Sequence, residues 1–183
     1  MLQDLIRIRK RLDGQIISGL VNFGPAPLGL FVNYDPANLA APNLIPSTGR
    51  GPAYSLMRQV LAAGASVPLA NFVFDKSTII NPVPNGNAVS ASRLLECEVE
   101  GPSFLPQLEV DGVTAVPGAI TGATAANSPL STYKGGLVVA QAAVLDEGGA
   151  VVTPANEVIG YLRGQLTPMN ALNATRILVQ FNP

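Results

Sequence analysis

Three glutamates alternate at Glu96, Glu98 and Glu100. On a strand, residues two apart share a face, so the three carboxylates would stand together with Cys97 and Val99 behind them. A cluster of that kind can bind a hard cation through oxygen, or hold one carboxylic acid protonated. A calcium loop also needs further oxygen ligands at loop spacing, and none lies nearby in the chain. The pattern equally describes the solvated face of a half-buried strand, which is the reading its simplicity favours. Glu109 and Asp111 repeat the spacing and read the same way, with Asp111-Gly112 as a turn. Tyr133-Lys134 joins two groups capable of acid–base work, yet no cofactor motif or base accompanies them. The pair reads as the start of a strand. Cys97 has no histidine to activate it, so a buried, inert thiol is expected.

The chain of 183 residues contains no His, no Trp and one Cys. A Ser-His-Asp triad and a His-bearing zinc site are therefore excluded, as is an intrachain disulfide. Gly49-Arg50-Gly51, Gly135-Gly136 and Gly148-Gly149 lack the spacing of a phosphate loop and read as turns requiring positive φ. Eleven Lys and Arg against twelve Asp and Glu give a formal charge of −1, with no basic stripe for nucleic acid. No cofactor is implied. Charged residues are 13% of the chain, roughly half the usual quarter. Water would therefore meet mostly Ala, Ser, Thr, Asn, Gly and Pro. Such a surface suits a subunit that packs against neighbours.

The elements that must carry these residues divide near residue 53. Leu2, Leu5, Ile6, Arg9 and Leu12 fall at helical spacing, so a short amphipathic helix is predicted over 1–14, ended by Gly14. The four basic residues among 7–11 precede an apolar run, but Asp4, Asp13, Pro25 and Pro27 break the imitation of a signal peptide. Between 15 and 53, prolines at 25, 27, 36, 42, 46 and 52 exclude regular helix and strands longer than about five residues. Phe23, Leu28, Leu30, Phe31, Val32 and Tyr34 in the same stretch still need burial. An extended, proline-rich arm lying on some surface is the expectation. A helix is predicted over 53–63, strands over 69–80 and 89–100, and a tight turn at Asn85-Gly86. Beyond 98, short apolar runs at 108–116, 136–144, 158–166 and 176–181 alternate with Gly, Pro and Asn. The fold expected is mainly β: a small antiparallel sandwich or barrel over 54–183, preceded by the N-terminal helix and the Pro-rich arm.

The C-terminal third has a distinctive layout. Residues 131–144 open a strand through Gly135 and Gly136. Residues 156–166 follow with Gly160, and 174–181 close the chain with Ile177 and Val179 alternating. Over these 50 or so residues the chain resembles the β-core of tailed-bacteriophage head decoration, or cement, proteins. That resemblance implies a non-enzymatic virion protein, made in the host cytoplasm, with no membrane partner. It would bind the outer surface of an assembled capsid and brace contacts between major capsid proteins. A second copy of the chain, in a dimer or trimer, is a further expected partner. Other virion roles (tail tube, connector, minor capsid protein) and a ligand-binding β-barrel are the competing readings. The residues expected to touch a partner are Leu2, Leu5 and Ile6 on the helix, and Phe23, Leu30, Phe31 and Tyr34 on the arm.

Overall fold

The computed structural model describes residues 5–23, 26–38, 43–59, 86–166 and 176–183, and among these no helix forms. The chain is mainly β. The first strand, β1 (Leu5–Val21), occupies the segment predicted to be helical. Ile6 and Ile8 alternate with Arg7 and Arg9, a period of two that suits a strand as well as the looser helical spacing suits a helix. An isolated helix of this length is marginal in water, whereas a strand gains a full ladder from its neighbour. That neighbour is β5 (Ala88–Glu100), antiparallel to β1 from Leu5↔Glu100 to Leu20↔Ala88. Gly14 does not end a helix. It sits at φ +78° in an interruption where β1 advances from Arg11 to Ile16 while β5 moves only from Leu94 to Ser92. Leu2 lies outside the described residues.

Of the 15–53 stretch, residues 15–21 continue the long β1, against the expectation of short strands only, because the first proline comes at 25; beyond it only short strands form. They are β2 (Phe31–Tyr34) and β3 (Asn43–Pro46). The helix predicted over 53–63 is instead β4 (Tyr54–Gln59) as far as the described residues run. Leu56 exchanges backbone bonds with the segment before β2, its N–H donating to Leu30 and its carbonyl accepting from Gly29. On its other side β4 pairs with β5 from Ser55↔Ser92 to Gln59↔Val89. A slot between two strands outweighs a weak local helical preference. The strand predicted over 69–80 lies outside the described residues. Gly86, the second half of the predicted turn, holds φ +82°.

The remaining strands are β6 (Pro129–Tyr133), β7 (Gly136–Val139), β8 (Val144–Leu145), β9 (Val151–Thr153), β10 (Gly160–Gln165) and β11 (Ile177–Phe181). Of the predicted apolar runs, 136–144, 158–166 and 176–181 carry β7, β10 and β11, whereas 108–116 forms a loop with one isolated bridge, Leu108↔Ala115. Nine strands form one sheet in the order β1-β3-β2-β4-β5-β11-β10-β6-β7, and β1 also pairs with β5. The pairings β1–β3–β2–β4–β5 thus return to β1. The β1–β3 contact is parallel and the other pairings are antiparallel. The sheet takes three of its strands from residues before 53, so this stretch builds the sheet as well as lying on it.

The β6–β7 turn ties that end of the sheet to β2 and to the residue after β3. Gly135 donates to the Ser47 carbonyl at 2.9 Å and accepts from the Phe31 N–H at 2.9 Å. The Ser47 and Thr132 hydroxyls share a buried hydrogen bond of 2.7 Å. Beneath lies a core of Ile6, Val21, Phe31, Leu44, Leu56, Leu130, Leu137, Leu162, Ile177 and Val179, all essentially inaccessible. Phe31 and Phe181 meet with ring centroids 5.5 Å apart. Burial of one such ring contributes about 2–3 kcal/mol.

Two glycines of the C-terminal layout have steric reasons. Gly135 has φ +85°, and a Cβ there would stand 2.6 Å from Leu30 Cγ. A Cβ on Gly160 would meet the Gln180 carbonyl oxygen and stand 2.8 Å from Phe181 Cα, both backbone atoms of β11 that cannot swing aside. Four residues on, Gly164 has open space around it. Gly160→Ala is expected to lower stability by about 2–3 kcal/mol, and Gly164→Ala by less than about 1 kcal/mol. Urea unfolding of the two variants against the parent checks this, and equal midpoints would contradict the close approach.

Candidate functional site

The residues expected to touch a partner fall into different environments. Ile6, Leu30 and Phe31 are buried in the chain's own core. A side chain already enclosed offers no surface to a second molecule, so these three serve packing. Leu5 takes its place in the β1–β5 ladder opposite Glu100. Tyr34 is exposed at the end of β2, and its hydroxyl donates to the Ser18 carbonyl at 3.2 Å. Phe23 is half-buried against the core.

Phe23 and one edge of Leu30 also line a cleft of about 290 Å³. Its walls are rigid and apolar, with Pro27, Pro46, Pro102 and Pro106 among them. One end is polar and is formed by Glu109, Tyr133 and Lys134. Lys134 Nζ donates to Glu109 Oε2 at 2.6 Å, and the Tyr133 hydroxyl donates to Glu109 Oε1. The ammonium also stands 5.1 Å from the Tyr133 ring centroid. Lys134 holds φ +48°, uncommon for a residue with a side chain. Its N–H donates to Thr48 Oγ1 at 2.9 Å, which fixes the turn from the other side.

Every shift in this group points away from neutrality. The Lys134 and Tyr133 bonds pull Glu109 below the usual carboxylate range. The Glu109 carboxylate in turn raises Tyr133 and Lys134 above their ordinary values. A catalytic acid or base is tuned toward the working pH. These three are held in fixed charge states, which suits an anchor.

What the anchor holds is a short loop. Leu108 and Ala115 form an isolated bridge, and Glu109 N–H donates to the Thr114 carbonyl at 2.7 Å. Asp111 accepts from the N–H groups of Val113 and Thr114 at 2.9 and 2.8 Å and from the Thr114 hydroxyl at 2.5 Å. Those bonds lower its pKa, the hydroxyl most. The loop thus has little freedom, yet it presents Val110 at 96% and Val113 at 83% exposure. Two valines held out on a hydrogen-bonded loop beside an apolar cleft make an exposed apolar patch.

The alternating glutamates behave differently from the solvated face expected of them. Glu98 is buried, because β5 is covered on both faces at this point. Arg9 of β1 meets its Oε1 from Nε at 2.9 Å and from Nη2 at 2.5 Å. Arg7 and Arg176 approach its other oxygen at 3.8 and 3.9 Å. Arg176 binds Glu100 at 2.8 Å, and Arg9 lies 3.7 Å from Glu96. The carboxylates are thereby neutralised by guanidinium groups. Among the described residues no cluster of His, Cys, Asp or Glu is arranged to hold a metal ion. Cys97 lies behind them in the core, where burial first and the nearby Glu96 and Glu98 charges second push its thiol pKa up. It stays a protonated, inert thiol.

A second cavity of about 310 Å³ lies between Gly51, Arg93, Glu157, Phe181 and Asn182. Its polar groups bond one another. Arg93 bridges Gln15 Oε1 and the Asn182 carbonyl at 3.0 and 3.1 Å, and Glu157 accepts the Gly51 N–H at 2.6 Å. Among the described residues no helix is long and apolar enough to cross a membrane. No protein-family model, curated protein or solved structure matches the chain.

The loop's internal bonds follow a local pattern, since Asp111 precedes Thr114 by three. The bond from Glu109 to Tyr133 and Lys134 spans more than twenty residues and has no local signal. Two predictions follow from these networks. Glu98→Gln leaves three guanidinium groups without their buried counter-charge, and is expected to cost about 2 kcal/mol once the solvent at the arginine ends is allowed for. Glu96→Gln should cost a few tenths of a kcal/mol. Urea midpoints that do not differ would contradict the buried pairing. For Glu109 the folded pKa is depressed, so its stabilisation is present above the unfolded value near about 4.3 and is lost as pH falls through the lower folded value. The parent should therefore melt above Glu109→Gln at neutral pH, with the gap closing at strongly acid pH.

Proposed function

We propose that this chain is a non-enzymatic structural virion protein. It binds the outer surface of a tailed-phage capsid and stabilises contacts between major capsid proteins. The observation that carries this reading is the pair Val110 and Val113, held out on a hydrogen-bonded loop beside the proline-walled cleft. A pre-ordered apolar loop loses little entropy on docking, so most of its burial contributes to affinity. Contacts of this kind also lose little to salt screening, because few charges take part. The fixed charge states of Glu109, Tyr133 and Lys134 support an anchor in preference to a catalytic site. The returning ring of five paired strands fits a small barrel, with β11, β10, β6 and β7 as its extension. The C-terminal resemblance to decoration proteins supports the same reading.

The test is co-sedimentation of the purified protein with assembled shells, read together with the melting temperature of the shells. Binding at micromolar concentration and a raised melting temperature are expected. Val110→Asp combined with Val113→Asp should weaken binding at least about tenfold while leaving the protein's own melting temperature within a few degrees. Absence of the parent protein from pelleted shells would sink the reading. Recovery of the protein in tails or connectors instead would move it to another virion part.

A further inference from the structure

Residues 141–155 are all exposed. Their strands, β8 and β9, form a separate two-stranded sheet that joins none of the other nine strands. A two-stranded hairpin is marginal in water by itself. Its turn is nevertheless well built. Asp146 N–H donates to the Ala150 carbonyl at 2.9 Å, and Asp146 Oδ1 accepts from Gly148 and Ala150 at 2.9 and 2.8 Å. Val144, Leu145, Val151 and Val152 are each more than half exposed. The result is an apolar blade with a carboxylate, Glu147, at its tip. Glu147 has no ion-pair partner among the described residues.

A surface of matching character lies on β1. One edge of β1 is bonded to β5 on both sides of the interruption at 12–15, while among the described residues the other meets only β3, at Leu20 and Val21. Among the described residues, the outer edge from Ile6 to Ser18 therefore has no strand against it. Such an edge is a template for another strand. Arg7 and Arg9 are occupied by Glu98, but Lys10 and Arg11 are exposed and make no ion pair among the described residues. Beyond the interruption at Gly14, Ile16 is 60% and Leu20 39% exposed. Basic residues followed by apolar ones complement an acidic tip followed by apolar strands.

We infer that the β8–β9 hairpin of one copy docks along the open β1 edge of a second copy. Glu147 meets Lys10 and Arg11, and the hairpin's valines and leucine cover Ile16. The two surfaces differ, so each copy offers one of each, and repetition closes a ring or extends a filament. This contact is separate from shell binding, which uses the cleft and the 108–115 loop.

The experiment is sedimentation velocity of the full chain over a concentration series up to roughly 100 μM, where even a weak specific contact is populated. The parent protein should form species larger than a monomer. Glu147→Lys alone, and Lys10→Glu with Arg11→Glu, should each weaken association at least about tenfold. Combining all three reversals should restore it, which a merely destabilised fold cannot do. Melting curves of the variants, expected to match the parent, confirm that they fold. A parent that stays monomeric throughout, single reversals without effect, or a combined variant that fails to recover would each overturn the contact. Shell binding is read in its own assay, so the failure of one proposal is distinguishable from the failure of the other.

Discussion

Both edges of β5 are occupied along most of its length, and the rest of the molecule depends on that. Its thirteen residues pair with β1 on one side, and with β4 and then β11 on the other. Each buried backbone N–H and C=O needs a partner, so a long central strand calls in every segment able to supply a ladder. The N-terminal residues answer that demand, and so do residues 54–59 from the middle of the chain. Where the neighbour on the second edge changes from β4 to β11, one sheet serves both the proline-rich segment and the C-terminal strands.

The same crowding explains the buried charge. A strand covered on both faces encloses alternate side chains in turn, and Cys97, Glu98 and Val99 are all inaccessible. Cys97 and Val99 meet core. Glu98 meets guanidinium groups from β1 and from the residue before β11. Arg9 presents two nitrogens to one carboxylate oxygen, so the pair carries directional information as well as charge. It joins the first strand of the chain to the central one at a defined register. A slip of β1 by one residue would turn Arg9 to the opposite face and leave Glu98 without it.

Short-range signals made the later strands legible. Ile177, Val179 and Phe181 are buried while Gln180 is exposed, as alternation requires. The turns at Gly49, Gly135 and Gly149 hold positive φ, as their Gly-rich surroundings suggest. The first strand was misread because Leu2, Leu5, Ile6, Arg9 and Leu12 satisfy a helical period almost as well as residues 5–9 satisfy a strand's. Only the presence of β5, more than eighty residues away, decides between them. Residues 54–59 failed for the same reason. The 108–115 loop is half legible: Asp111 and Thr114 form a local turn, but the bond from Glu109 to Tyr133 and Lys134 is a product of the fold. Leu30 and Phe31 show the converse error. Apolar residues in an irregular, proline-rich stretch suggested an outward-facing arm, yet short strands between prolines can turn such residues inward.

The low charge content then has a structural consequence. Glu98, Glu100 and Glu109 are partnered by Arg7, Arg9, Arg176 and Lys134, so several of the few charged groups are consumed inside the chain. What remains facing water is largely neutral, and its most exposed apolar side chains sit on tight, hydrogen-bonded turns. Valines at 110, 113, 151 and 152 could have been enclosed had those turns folded back on the core. Instead Asp111 and Asp146 each use one carboxylate oxygen to accept from two nearby backbone N–H groups, holding each turn in one shape. A chain that contained those valines by accident would gain nothing from stiffening the loops that expose them. Stiffening lowers the entropy cost of a later contact. It is therefore the combination of apolar tips and rigid turns, more than the apolar residues alone, on which the proposed contacts rest.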